Sequence, residues 1–366
     1  MYQPYFQLTN NLLTYISAIE AAKALIDHSP LVPAWEAKFK KDAMARTIHF
    51  GTKIEGNDLT QDQALKVARL ELVDDPEEAA KRTGIIARER DIQEVLNYRN
   101  VIKWIDEQDS EIASQLFSEK TLKHLHELTM DRLLIEDQIG HYRRKQVIVK
   151  GAGSSAGKVV FRPPLSIEVP FLIEEFFEWL NSPQAKQVHP IFRAAITHYQ
   201  LVYIHPFIEG NGRTARALAS LLLYVTGYDF KRFFSLEQYF DSDVESYYSA
   251  LQSVQQNEQA QLTYWLEYFC YGLAVEVDKV KEKVLKLSKD LRLKKELGRQ
   301  VALSERQIVL LELLQDQGEI TSADAQDMLP NVSVDTVLRD LNDLIEKGVI
   351  KKHGVTKGVT YSLIER

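Results

Sequence analysis

Twelve consecutive residues, HPFIEGNGRTAR (205–216), hold a histidine, an acid, an amide, two glycines and two arginines. Each residue type has a chemical use. His205 can take up a proton near neutral pH. Glu209 can hold Mg²⁺ beside bound phosphates. Gly210 and Gly212 permit backbone angles closed to other residues and let a ligand approach the main chain. Arg213 and Arg216 stand three apart, so they point to a similar side of a helix. The stretch feeds directly into a helix N-terminus, whose unpaired amides and dipole attract anions. A base, a metal ligand and a phosphate cradle in one loop point to phosphoryl-type or nucleotidyl transfer.

Such a loop needs rigid supports. FRAAITHYQLVYI before it has helical spacing of Phe192, Ile196, Tyr199 and Tyr203, and TARALASLLLYVTGY after it reads as a buried helix. The loop therefore joins two core helices, with Pro206 helping to end the first. Further upstream, HYRRKQVIVKGAGSSAGKVVFRPP holds two short β-prone runs around a Gly/Ser-rich turn, a β-hairpin. Its tip imitates a phosphate-binding P-loop. That motif requires four residues between its glycines and a hydroxyl after the lysine. Gly153 and Gly157 are separated by three, and Val159 follows Lys158. A hairpin tip is the better reading.

The twelve residues resemble the signature of the Fic family, H-P-F-x-[D/E]-G-N-G-R-x-x-R, at every defined position. GHYRRKQVIV, the RPP and VP turns and HYQLVYI extend the resemblance over about residues 40 to 270. It implies a helical bundle with a β-hairpin flap, and a protein adenylyltransferase that uses ATP and Mg²⁺. His205 would deprotonate a target Ser, Thr or Tyr hydroxyl, which attacks the α-phosphorus of ATP and expels pyrophosphate. Glu209 would hold Mg²⁺. Gly210, Asn211 and Gly212 would hold phosphate oxygens, Arg213 would offset charge on the β-phosphate side, and Arg216 would reach the γ-phosphate. Phe207 would anchor the loop in the core. Val149, Lys150, Gly151 and Ala152 of the flap would line the site and align the target segment by strand addition. Tyr247 and Tyr248 resemble a pair lining the adenine pocket, with Gln255 where several members have Asn. Two core aromatics are the alternative reading.

TKIEGN (52–57) resembles the family's inhibitory motif, [S/T]-x-x-x-E-[G/N]. Glu55 would pair with Arg216 and take the guanidinium fork that a phosphate needs. The motif's first position is Gly51 instead of Ser or Thr, with Thr52 next to it. The reading is therefore a self-inhibited enzyme that modifies a target protein and itself. The alternatives are an enzyme that uses Glu55 to remove AMP, and a transcription regulator that senses nucleotide.

The 366 residues divide into an N-terminal helical region (1–110), a catalytic core (111–275), a connecting helix (276–303) and a small unit (304–366). In the first region, Thr60 could cap a helix beginning QDQALKVA. The last unit reads as three helices and a β-wing, with Ser322 and Ser333 as caps, and looks like a winged helix-turn-helix domain. Its third helix carries Asp335, Asp340 and Asp343, poor for facing phosphates, whereas Lys351, Lys352, His353 and Lys357 make the wing basic. DNA binding and a protein-interaction or homodimerisation role both fit. Acids outnumber bases 52 to 45, so the whole chain gives no global reason to expect nucleic acid. The single cysteine, Cys270, excludes an internal disulfide and fits packing in a reducing compartment. No run approaches the roughly 18 apolar residues of a membrane span, and the N-terminus lacks a signal-peptide pattern. The expected location is cytoplasmic.

Overall fold

The computed structural model describes all residues except 1, 30, 32, 71–72, 109–116, 151–156, 158, 257–259, 297–302, 330–331, 355–358 and 365–366. The chain forms two compact units, one of residues 1–29 and 38–285, the other of residues 30–37 and 286–366.

In the first unit, local signals set the helix ends. Helix α1 (Asn10–His28) is capped by Thr9, whose side chain accepts from Leu12 N–H. Helix α2 (Pro33–Lys53) leads to the TKIEGN segment. Thr60 caps α3 (Gln61–Ala68) in a reciprocal capping box with Gln63. Helix α4 (Pro76–Thr83) has Asp75 as its cap and ends at Gly84, which is left-handed. Helix α5 (Glu89–Asp106) buries nearly its whole circumference, including Asp91, Gln93, Glu94, Asn97 and Arg99. Helix α6 (Glu119–Met130) is capped by Ser118. Strands β1 (Val149–Lys150) and β2 (Val159–Phe161) pair antiparallel, Val149 opposite Phe161.

Helices α7 (Val169–Asn181) and α8 (Pro183–Gln187) lead to the central pair, α9 (Pro190–Ile204) and α10 (Asn211–Val225). Ala194 and Ala195 on α9 and Ala215, Ala217 and Ala219 on α10 are buried. Such small side chains let two helices approach closely, which holds the intervening loop rigidly at both ends. Helices α11 (Leu236–Ser242) and α12 (Val244–Gln255) follow, and α13 runs unbroken from Thr263 to Glu296. Trp265 on α13 is fully buried and donates from Nε1 to the Ala195 carbonyl at 2.7 Å. Cys270 is buried on the same helix. The division between the units falls inside α13, after Leu285, about ten residues beyond the expected end of the core.

In the second unit, α14 (Glu305–Gln317) starts in a Ser304–Gln307 capping box. Strand β3 (Glu319–Thr321), not anticipated from the sequence, follows Gly318. Helix α15 (Ser322–Met328) is capped by Thr321 rather than Ser322, because Thr321 closes a reciprocal box with Asp324. Ser333 caps α16 (Val334–Glu346) as expected. Strands β4 (Ile350–His353) and β5 (Thr360–Leu363) form the wing, and the antiparallel sheet has the order β3-β5-β4. Leu310, Leu314, Ile320, Val337, Leu341, Leu344 and Tyr361 fill its core. Among the described residues, no helix is long and apolar enough to cross a membrane.

Candidate active site

Residue His205 ends α9 in a left-handed conformation, φ 51° and ψ 59°. A non-glycine residue needs outside support there. Arg143 supplies it. Its Nε donates to the His205 carbonyl at 2.8 Å, its backbone N–H to the Pro206 carbonyl at 2.9 Å, and its Nη2 to the Pro164 carbonyl at 2.6 Å. One buried guanidinium thus caps α9 and ties the root of the β1–β2 hairpin to the loop. The His205 Nδ1 lies 3.2 Å from the Val202 carbonyl. With Nδ1–H donating there, the lone pair of Nε2 is free. Burial, helped by the positive charge of Arg143, lowers the imidazole pKa to about 4, although the Val202 bond and Glu55 act in the opposite direction. The ring is therefore neutral at neutral pH.

The rest of the loop is fastened from below. Phe207 is fully buried, which stabilises the loop by about 1.5–3 kcal/mol. It stacks on His126, ring centroids 3.7 Å apart. His126 Nδ1 accepts from Gly140 N–H at 2.9 Å, so Nε2–H donates to the Glu209 carbonyl at 3.0 Å. Burial lowers its pKa to about 4, which preserves this neutral tautomer. Asn211 Oδ1 accepts from Phe207 N–H at 2.8 Å and its Nδ2 donates to the Phe207 carbonyl at 2.9 Å. Its amide shapes the loop, which leaves anion contacts chiefly to backbone N–H groups and the arginines. Gly210 has φ 77°, and a Cβ there would lie 2.5 Å from Met130 Sδ. No other residue fits.

Both arginines are buried on the first turns of α10. Arg213 Nη1 lies 3.2 Å from Glu94 Oε1. Arg216 Nη2 donates to Glu55 Oε1 at 2.8 Å and to the Gly51 carbonyl at 2.9 Å. The Nε atoms of both arginines are buried without a hydrogen-bond acceptor among the described residues. Buried cationic donors with bonds to spare, beside a helix N-terminus, suit an anionic ligand.

The TKIEGN segment explains itself as a helix end. Gly56 N–H donates to the Lys53 carbonyl at 2.8 Å and Asn57 N–H to the Thr52 carbonyl at 3.3 Å, with Gly56 at φ 91°. This paired closure places Glu55 at the C-cap, two residues beyond the end of α2. The Asn57 amide then donates to the Asp91 carbonyl at 2.9 Å and to Glu94 Oε2 at 3.0 Å, pinning the segment to α5. The Glu55 carboxylate lies against the N-terminus of α10, where a Cβ on Gly212 would come within 2.4 Å of Oε1. Burial pushes this carboxyl up, but attraction to Arg216 and Arg213 outweighs it and leaves it below the usual glutamate value.

Gly51 has its own reason. A Cβ would lie 2.4 Å from Tyr98 Cε1, and Tyr98 is fully buried with its hydroxyl 3.2 Å from Glu237 Oε1. Thr52 does not take over the missing hydroxyl's place, because its Oγ1 donates to the Ile48 and His49 carbonyls of its own helix, both at 3.0 Å. Gly51→Ser should destabilise the unit by about 1–3 kcal/mol, as overpacking does, and lower the melting temperature in calorimetry. An unchanged melting temperature contradicts the close Gly51–Tyr98 packing.

Val149 is half-buried in the hairpin, opposite Phe161, whose ring meets Tyr203 of α9. Lys150 ends β1, and Gly151 and Ala152 lie outside the described residues. Tyr247 is a core residue: it stacks on Phe240, and its hydroxyl lies 2.9 Å from His198 Nε2. Tyr248 and Gln255 are half-buried and keep access to the surface. Sequence reasoning missed His126, Arg143, Glu94 and Tyr98, all on elements far from the loop in the chain.

Among the described residues, no group of three or more His, Cys, Asp or Glu could hold a metal ion. Within the loop itself, Glu209 offers a partly exposed carboxylate. One carboxylate completed by phosphate oxygens and water is the donor set Mg²⁺ takes with nucleotides, so the residues fit that ion.

Parts of this chain are similar to known proteins. Residues 116–223 match the model of the Fic/DOC family. The chain carries a Fic domain. A second match, over residues 306–358, is to the DeoR-like helix-turn-helix domain, which agrees with the winged unit. The protein adenylyltransferase Fic of Drosophila grimshawi is 35 % identical over 191 residues, 52 % of this chain and 35 % of its own. That of Drosophila willistoni is 30 % identical over 215 residues, 58 % of this chain and 38 % of its own. The chain thus spans little more than a third of these relatives' length. In fold, a Fic family protein from Desulfovibrio desulfuricans G20 covers 100 % of this chain and 99 % of its own, with TM-score 0.64 and 23 % identity. Fic-1 (aa134–508) from C. elegans has TM-score 0.54 and 20 % identity over 76 % of this chain and 73 % of its own. Residues 116–223 and the TKIEGN segment lie in the same compact unit.

Proposed function

We propose that this protein transfers AMP from ATP to a hydroxyl side chain of a protein, its own chain included, and that Glu55 restrains it. The observation that carries the reading is a neutral histidine with a free Nε2 beside a helix N-terminus and two buried arginines whose Nε atoms lack acceptors among the described residues. His205 Nε2 takes the proton of the target hydroxyl. The oxygen bonds to the α-phosphorus of ATP as the bond to pyrophosphate breaks. The amides at Gly210 and Gly212, with Arg213, hold the phosphate oxygens. A divalent cation on Glu209, when bound, offsets phosphate charge. Arg216 holds the γ-phosphate once Glu55 lets go. The hairpin strand at Val149 and Lys150 aligns the target, and Tyr248 and Gln255 border the adenine. The curated relatives' name, protein adenylyltransferase, agrees with this chemistry.

The test is incubation of Glu55→Gly protein with Mg²⁺ and ATP labelled on either the α- or the γ-phosphorus. Label retained from the α position alone supports transfer of AMP. Label from the γ position contradicts it. No label from either favours removal of AMP or nucleotide sensing.

The His205 environment adds a pH expectation. Its pKa is lowered, so the base is lost only as pH falls towards about 4. The transfer rate should be level between about pH 6 and 8, with no step near the ordinary histidine value. A rate that halves near pH 6.5 contradicts this environment.

The DeoR-like unit would meet a partner through its wing. Lys351, Lys352 and His353 are exposed, whereas Asp340 of α16 is tied to Arg306 at 2.6 Å and Asp343 to Lys347. DNA remains a partner class for the wing rather than for α16.

A further inference from the structure

The carboxylate assigned to the metal already has a cationic partner. Arg90, in the first turn of α5, donates from Nη2 to Glu209 Oε1. Its Nε lies 3.3 Å from Glu94 Oε1. Glu94 in turn reaches Arg213 Nη1 at 3.2 Å and accepts from Asn57. Acids and arginines thus alternate from the loop into the core, in the order Glu209, Arg90, Glu94, Arg213. The inner pair is buried, while Arg90 and Glu209 stay 46 % and 41 % exposed.

We propose that Arg90 is a gate on the metal site. Its guanidinium holds the Glu209 oxygen that a divalent cation would take, and Glu94 is the second acid on which it would stay when displaced. This deepens the reading of Glu209 as the metal ligand and rests on it. A guanidinium and a cation compete for the same lone pairs. Arginine keeps its charge at any working pH, so loss of the Arg90 proton cannot open the gate. Only the two charges of the cation, backed by phosphate oxygens, displace it. Glu94 keeps the displaced side chain beside the site, so re-closure needs a short swing of one side chain. Metal loading thereby depends on a residue outside both the catalytic loop and the Glu55 segment.

The test is titration calorimetry of ADP binding, with Mn²⁺ and with EDTA, to the wild type, Arg90→Ala and Glu209→Gln. ADP has no γ-phosphate, so the Glu55–Arg216 pair does not enter the comparison. The readout is the factor by which Mn²⁺ tightens ADP binding. Arg90→Ala should raise that factor about two- to fivefold, the size of a half-exposed ion pair. Glu209→Gln should abolish it. An unchanged or smaller factor in Arg90→Ala, with the loss in Glu209→Gln intact, overturns the gate and leaves Glu209 as ligand. A factor that survives Glu209→Gln overturns the metal assignment and the gate with it. Arg90 is half-exposed, so its removal does not endanger folding.

Discussion

Glu55→Gly should raise AMP transfer by about ten- to a hundredfold, measured as labelled AMP on protein per unit time. The size follows from the contact removed. A charge-assisted hydrogen bond contributes about 1.5–3 kcal/mol, and that difference converts to one to two powers of ten. Glu55 holds Arg216 at 2.8 Å and closes the space beside Gly212, so under the proposed function ATP would have to displace it to seat its γ-phosphate. The variant removes the competitor and little else, because Glu55 stands at a helix end where glycine is tolerated. ADP affinity should change far less than ATP affinity. An equal rise for both nucleotides would mean that Glu55 blocks the whole cradle. No rise in rate would remove the restraint from the proposed function.

His205→Asn, made in the Glu55→Gly background, should lower the rate by about 10²–10⁴, the usual contribution of a positioned general base. Asparagine is chosen because position 205 has φ 51°, which asparagine tolerates better than most residues. The His205 side chain makes one internal hydrogen bond, to the Val202 carbonyl, so thermal stability should fall little. ADP binding should persist, since the phosphate contacts lie on α10. A rate within threefold of the parent would exclude His205 as the base. Loss of ADP binding together with rate would mean that the change collapsed the loop, and Arg143→Met offers a comparison that disturbs the loop without removing the imidazole.

Much of this site was legible because it is local. Residues 205–216 carry a base, a carboxylate, two glycines and two arginines in one continuous stretch, and the helices on either side have plain apolar spacing. TKIEGN was legible for the same reason: Glu, Gly and Asn occupy consecutive places in one helix closure. What holds these pieces together was not legible. Arg90 lies 119 residues before its partner Glu209, and Arg143 lies 62 before His205. Nothing in RDIQEVLNYRN marks its polar residues as buried, since polar positions on a helix ordinarily face water. Only the packed fold reveals that α5 keeps Asp91, Glu94 and Asn97 inside as a network. The choice of Gly51 likewise depends on Tyr98, a residue of another helix. Strand β3 escaped notice because three residues are too few to show alternation.

The closure of α2 at Gly56 and Asn57 has a kinetic meaning. The segment is pinned on both sides of Glu55, by the helix before it and by the Asn57 bonds to α5 after it. Releasing Arg216 therefore asks for no unfolding and no domain motion, only rotation about the bonds of one partly exposed glutamate side chain. Such rotations take picoseconds to nanoseconds, far faster than any turnover. If Glu55 restrains the site as proposed, it would act as a rheostat rather than a lock, because release needs only a side-chain rotation. On the proposed restraint, the resting protein would then run at a fixed small fraction of its full rate. A partner that biases the side chain changes that fraction smoothly, without a threshold to cross.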